Sequence, residues 1–255
     1  MFFTGYINSR WRPGKMMRMP PVARSEPGGC LAIWPGLLTL LALCLALAAP
    51  VAQARQDPGA LRQRLAARFD SSRIPLLDEW LAMVASASAL DEQAKLARVN
   101  DFVNGNFAYE DDATIWEQND YWATPLEMIG KGRGDCEDFT IVKYVSLRMA
   151  GMGSARLRLV YAKARLDGLA GPVWVAHMVL AYYATPDAEP LVLDNLNETI
   201  LPASRRPDLQ PVFSFNSEGI FAGVSGKGAA KAAAGIGRLS RWEDAWRRIL
   251  ADGYE

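Results

Sequence analysis

Apolar residues change their spacing near the middle of this chain. In the first half they recur every three or four positions. Leu61, Leu65 and Phe69 mark one predicted helix; Leu76, Leu77, Trp80, Leu81 and Val84 behind Pro75 mark a second; Leu96, Val99, Phe102 and Val103 after Asp91-Glu92 mark a third. Asn104-Gly105-Asn106 stops the third, and a polar, aromatic loop is expected from Tyr109 to Tyr121, leading into Trp122-Ala123-Thr124-Pro125. Gly130-Lys131-Gly132-Arg133-Gly134 then joins loop to helix. Phe139 to Met149 is apolar on most sides, as a buried helix is, and Gly151-Met152-Gly153 ends it.

The second half reads as strands: Leu157 to Tyr161, Val173 to Tyr183, Leu191 to Asp194, and a further one around Phe213 and Phe215. Thr185-Pro186-Asp187 is a turn, so the second and third strands form an antiparallel hairpin. Residues 226–237 are rich in Ala, Gly and Lys and are expected to be mobile; Trp242, Trp246 and Ile249 predict a closing helix. Helices first and an antiparallel sheet after is an α+β arrangement.

Residues 1–54 stand apart. Arg10, Arg12, Lys15, Arg18 and Arg24 precede an apolar run from Leu37 to Ala49, and Ala52-Gln53-Ala54 follows. That order is a secretory signal with cleavage expected after Ala54. The basic part is long for such a signal, and Met16, Met17 and Met19 offer later starts. The alternative is an uncleaved inner-membrane anchor from Leu31 to Ala49, which Trp34-Pro35-Gly36 interrupts. Residues 55–255, without linker or repeat, are expected to form one domain.

The whole chain balances 28 Lys+Arg against 28 Asp+Glu, so it offers no electrostatic footprint for nucleic acid. Without the signal, 23 basic and 27 acidic residues remain, and three cysteines fall to Cys136 alone. A single thiol in an oxidising compartment is either inert in the core or kept for its reactivity.

The chain also has one histidine, His177. Singly, a lone Cys and a lone His in an apolar strand are ordinary core residues. Their order is more informative. Gly134-Asp135 caps a helix and leaves Cys136 in its first turn, where free amides and the dipole favour a thiolate. His177 shares a strand face with Val173, Val175, Val179 and Ala181, and Asp194 ends the neighbouring strand. A turn centred between Thr185 and Pro186 sets His177 and Asp194 directly opposite, and a centre one residue later sets them diagonally; both leave them close. Thiol, base and orienting carboxylate form a nucleophilic triad. Against it, Asp135, Glu137 and Asp138 crowd the thiol with like charge. Capping by Asp135, with help from Asp138, accounts for two of these carboxylates. A bound divalent cation accounts for all three, and hard oxygen ligands suit Ca²⁺.

With Gly134-Asp135-Cys136-Glu137-Asp138-Phe139, His177 to Tyr183 and Leu193-Asp194-Asn195-Leu196 in this order, the chain resembles the bacterial transglutaminase-like cysteine proteinases, specifically the LapG type of periplasmic protease. The resemblance covers about Ile74 to Phe221. It implies a papain/transglutaminase-like fold with Cys136 as nucleophile, His177 as base, Asp194 as orienting residue, and Asp135 and Glu137 in a calcium site. It further implies that the substrate is the N-terminal region of a large surface adhesin, cut beside an Ala-Ala pair to release biofilm. An inner-membrane cyclic di-GMP receptor would be the inhibitory partner. The same triad also serves acyl transfer to an amine or hydrolysis of a peptidoglycan peptide, and an inactive receptor-binding module is the reading outside the enzymes. Trp116 and Trp122 read as core ahead of groove or receptor contacts, and Lys231-Ala232-Ala233-Ala234-Gly235 imitates the cleavage context, inviting clipping in trans.

Overall fold

The computed structural model describes residues 57–168, 171–222 and 236–254. The expected export signal, its cleavage site and the Lys231–Gly235 segment lie outside the described residues, as does most of the Ala/Gly/Lys stretch. Among the described residues no helix is long and apolar enough to cross a membrane.

Local chemistry starts each helix of the first half. Asp57 accepts from Gly59 N at 2.8 Å and Pro58 opens α1 (Pro58–Arg68). Pro75 lies in the first turn of α2 (Ile74–Ser88), and Asp91 caps α3 (Glu92–Asn106) through Ala94 N at 2.9 Å. The expected loop from Tyr109 to Tyr121 is more ordered than the sequence reading held. β1 (Ala108–Tyr109) pairs in parallel with β2 (Arg133–Gly134), and α4 (Asp112–Trp116) is a single turn too short to show periodicity. A further helix, α5 (Pro125–Lys131), follows. It carries a capping box between Thr124 and Glu127 and ends on Gly132 at φ 70°.

α6 (Cys136–Met149) is buried on nearly every side and packs on the sheet. The sheet has six strands in the order β6-β5-β4-β3-β7-β8, every neighbouring pair antiparallel. They are β3 (Leu157–Gly168), β4 (Gly171–Tyr182), β5 (Leu191–Leu193), β6 (Leu201–Pro202), β7 (Leu209–Asn216) and β8 (Gly219–Ala222). β3 runs well past the expected Tyr161, because Ala162 and Ala164 bury their small side chains between the flanking strands while Lys163 and Arg165 face away.

Alternation along β4 divides the apolar residues between two layers. Met178, Leu180 and Tyr182 join Trp80, Leu126, Tyr144, Phe213 and Phe215 in the main core between helices and sheet. Val179 and Ala181 join Val160, Tyr183 and Val192 in a smaller cluster on the other face. The closing helix α7 (Ile236–Asp252) adds Trp242 and Ile249 to the main core. All of these residues belong to one compact unit, Gln53–Glu255.

Candidate functional site

The start of α6 is crowded by design of its neighbours. At Gly134 a Cβ would stand 2.7 Å from Asp138 Cβ and 2.7 Å from its Oδ2, so only glycine lets Asp138 turn inward here. Asp135 caps the helix by accepting from Glu137 N at 3.2 Å. Cys136 follows as the first helical residue, 7 % exposed. Its thiol donates to Glu137 Oε2 at 2.7 Å and lies against the Met178 backbone, the residue after His177. Thr140, one turn on, donates to Met178 O at 3.1 Å, so α6 is anchored on β4 at one residue. Burial first, then the negative charges of Glu137 and Asp135, push the thiol well above its ordinary range.

On β4, His177 Nε2 meets Asp194 Oδ1 at 2.7 Å, both side chains buried. Leu180 pairs with Leu193 and Ala181 with Val192, a register centred one residue past the Thr185–Pro186 midpoint, so the two residues are diagonal neighbours. The Asp194 carboxylate also accepts from Arg206 Nη2 at 2.6 Å and from Leu196 N at 3.0 Å. Burial opposes its ionisation, but the bonds from His177 and Arg206 outweigh burial and bring it down to about 2. The structure thus joins His177 to Asp194 directly and brings Cys136 to the neighbouring backbone, with the thiol hydrogen directed to Glu137 rather than to the imidazole.

A second carboxylate group lies behind the cap. Ligand oxygens of Asp112, Asp135 and Asp138 are all within 4.8 Å of one another, and Asp135, Cys136 and Glu137 form an overlapping set. Asp138 Oδ1 accepts from Ala123 N at 2.7 Å and Asp112 Oδ2 from Tyr121 N at 2.5 Å, while Asp138 Oδ2 and Asp112 Oδ1 are buried without a hydrogen-bond partner. Burial and the charge of Asp135 push Asp112 up to about 7; burial and Glu137 push Asp135 up to about 8. Clustered hard oxygens, two of them orphaned, fit a calcium ion. The neighbouring Asp120 is engaged elsewhere, by Trp122 Nε1 at 2.9 Å and Arg241 at 3.1 Å.

Sequence reading missed two members of these groups. Asp112 is inside the expected loop, and the β1–β2 pairing before it and the Tyr121 amide after it hold it near the start of α6. Arg206 lies on a turn, and nothing local marks a buried arginine there. Trp122 is core, stacked on Phe215 at 5.6 Å; Trp116 is half-buried between Tyr121 and Lys131.

A two-layer α+β fold with a thiol opening the central helix, and a His on β4 bonded to an Asp just past the end of β5, is an arrangement of the thiol hydrolases. The chain belongs to the bacterial transglutaminase-like cysteine proteinases, whose family model matches residues 81–207. Among solved structures it is similar to LapG of Legionella pneumophila at 36 % identity and TM-score 0.60, over 76 % of this chain and 98 % of that one. The calcium-bound form of that LapG matches at 37 % identity and TM-score 0.60, over 74 % and 97 %. The EGTA-treated form matches at 34 % and 0.62, over 76 % and 98 %. Among curated proteins nothing matches.

Proposed function

We propose that this protein is a periplasmic, calcium-dependent cysteine endopeptidase that cuts the N-terminal region of a large surface adhesin beside an Ala-Ala pair. The observation that carries the reading is the buried His177–Asp194 bond one residue from the backbone on which Cys136 rests. Cys136 sulfur attacks the scissile carbonyl, and its proton passes to His177 Nδ1, the nitrogen that Asp194 does not hold. His177 returns that proton to the leaving amine, and water then hydrolyses the thioester. Asp194 keeps the ring in the required tautomer and stabilises it when charged.

Asp135 and Glu137, joined by Asp112 and Asp138, would hold the calcium ion. When bound, calcium supplies the positive charge that these carboxylates lack. With such a charge in place Glu137 would no longer need the thiol hydrogen, and the like charge that keeps Cys136 protonated would be offset. Export by a cleaved signal would deliver the enzyme to the periplasm, and an inner-membrane cyclic di-GMP receptor would restrain it there.

The test is to incubate the mature protein with the N-terminal segment of a large adhesin from the same genome. Cleavage is expected with calcium and none with chelator or in Cys136→Ala. Equal cleavage by Cys136→Ala removes the nucleophile, and turnover of cell-wall peptides alone would replace the adhesin as substrate.

A further inference from the structure

We propose that Arg206 is a positioning residue for the His177–Asp194 pair: it fixes the rotation of the Asp194 carboxylate and, by its charge, sets how strongly the imidazole holds a proton. The proposal rests on the reading of His177 as the base. Both carboxylate oxygens are assigned. Oδ1 takes His177 Nε2 at 2.7 Å and Leu196 N at 3.0 Å, and Oδ2 takes Arg206 Nη2 at 2.6 Å. Rotation of Asp194 would therefore break the arginine bond along with the bond to the ring.

The arginine comes from a different part of the chain, the turn after β6, so strand pairing alone does not place it. Asp208 holds it from the other side, accepting from Nε at 3.0 and 3.2 Å and from Nη2 at 2.7 Å. The Arg206 side chain is 1 % exposed and that of Asp194 is fully buried, whereas that of Asp208 is 36 % exposed. The line of charges thus runs from the surface to the ring.

Buried ions need compensation. While His177 is neutral, Arg206 is the cation hydrogen-bonded to Asp194, with Lys143 acting on it from α6. When His177 takes a proton, the hydrogen-bonded set Asp208, Arg206, Asp194 and His177 becomes neutral overall. Lys143, buried on α6, also interacts with Asp194 and in turn with Glu198, and Cys136 lies across the Met178 backbone.

His177 is the only histidine, so its ring can be titrated by NMR without assignment. Removing a cation beside Asp194 should strengthen its hold on the imidazolium, and Arg206→Gln is expected to raise the His177 midpoint by about one pH unit. In the same variant kcat is expected to fall at least about tenfold with KM nearly unchanged. Arg206→Lys keeps the charge but not the fork, and should return the midpoint to within about 0.3 pH unit of wild type while recovering part of the rate. Asp208→Asn removes an outer negative charge and should lower the midpoint by about half a unit. A fault in packing has no reason to produce opposite signs.

An unmoved midpoint in folded Arg206→Gln, or shifts of the same sign in Arg206→Gln and Asp208→Asn, would overturn the proposal. If Arg206→Gln does not fold, Asp208→Asn decides alone, a fall supporting and no change refuting. Failure of the protease reading shows separately, as cleavage surviving in Cys136→Ala, and leaves the midpoints measurable.

Discussion

Two acidic regions of this protein, one buried and the other buried or half-buried, behave in opposite ways. Asp194 is surrounded by cation and donors: His177, Arg206 and the Leu196 amide occupy both oxygens and hold it at about 2. Asp112, Asp135 and Asp138 face one another, two oxygens have no partner, and their protonation is pushed upward. One carboxylate carries its compensation in the chain. The other group has no hydrogen-bonded cation among the described residues, and protons or, on the proposed reading, a calcium ion would compensate it.

Substituting the compensated acid is expected to have the largest effect. Asp194→Asn leaves Arg206 buried with only Asp208, and should cost about 3–5 kcal/mol in denaturant unfolding. A loss under about 1 kcal/mol would mean that the pair is dispensable to the fold. Adding calcium to wild type should act in the other direction, raising stability by about 2.7 kcal/mol at a hundredfold excess over Kd. No shift in thermal midpoint with calcium would remove the ion from the carboxylate group.

The two regions should also answer pH with opposite signs. Asp112 at about 7 and Asp135 at about 8 stand above the ordinary 3.8, so without calcium the folded state keeps protons that the unfolded chain has released. Stability in chelator should therefore fall steadily as pH rises from 5 to 8, and calcium should flatten that slope. Asp194 is lowered, so its contribution is complete above about 4 and is lost only as pH falls toward 2. A chelated protein that gains stability between pH 5 and 8 would reverse the assignment. Asp138→Asn is a smaller step. It relieves repulsion, and should stabilise the calcium-free protein by about 1 kcal/mol while abolishing the calcium response. Smallest is Arg62→Ala, which breaks a pair with Asp78 at 2.7 Å that is largely in water, and should change stability by less than about 0.5 kcal/mol.

The parts readable from sequence were those that depend on near neighbours. Periodicity located α1, α2, α3 and α6, alternation located β4 and β7, and Gly134-Asp135-Cys136 announced a helix start bearing a thiol. The turn at Thr185–Asp187 placed β5 beside β4, but not its register, because hairpin loops of different centre satisfy the same apolar pattern. α5 is legible in principle from Thr124, Pro125 and Glu127, a cap signature that the apolar spacing alone does not assign to a helix. Asp112 and Arg206 were beyond local reading. Each acquires its partners from chain segments far away, and a charged residue in a turn is ordinarily a solvated one.

The closing helix α7 has one more consequence, for the order in which the chain is made. Trp242 lies 5.4 Å from the Phe215 ring, Arg248 donates to Trp122 O at 2.7 Å and pairs with Glu127, and Asp252 accepts from Thr124 at 2.8 Å and Arg68 at 2.9 Å. Glu127 is paired with Arg68 of α1, 59 residues before it, and with Arg248 of α7, 121 residues after it, so its surroundings stay open until α7 is present. A ribosome-bound chain stopped before Ile236 should therefore remain sensitive to protease, and resistance should appear in one step once α7 clears the exit tunnel.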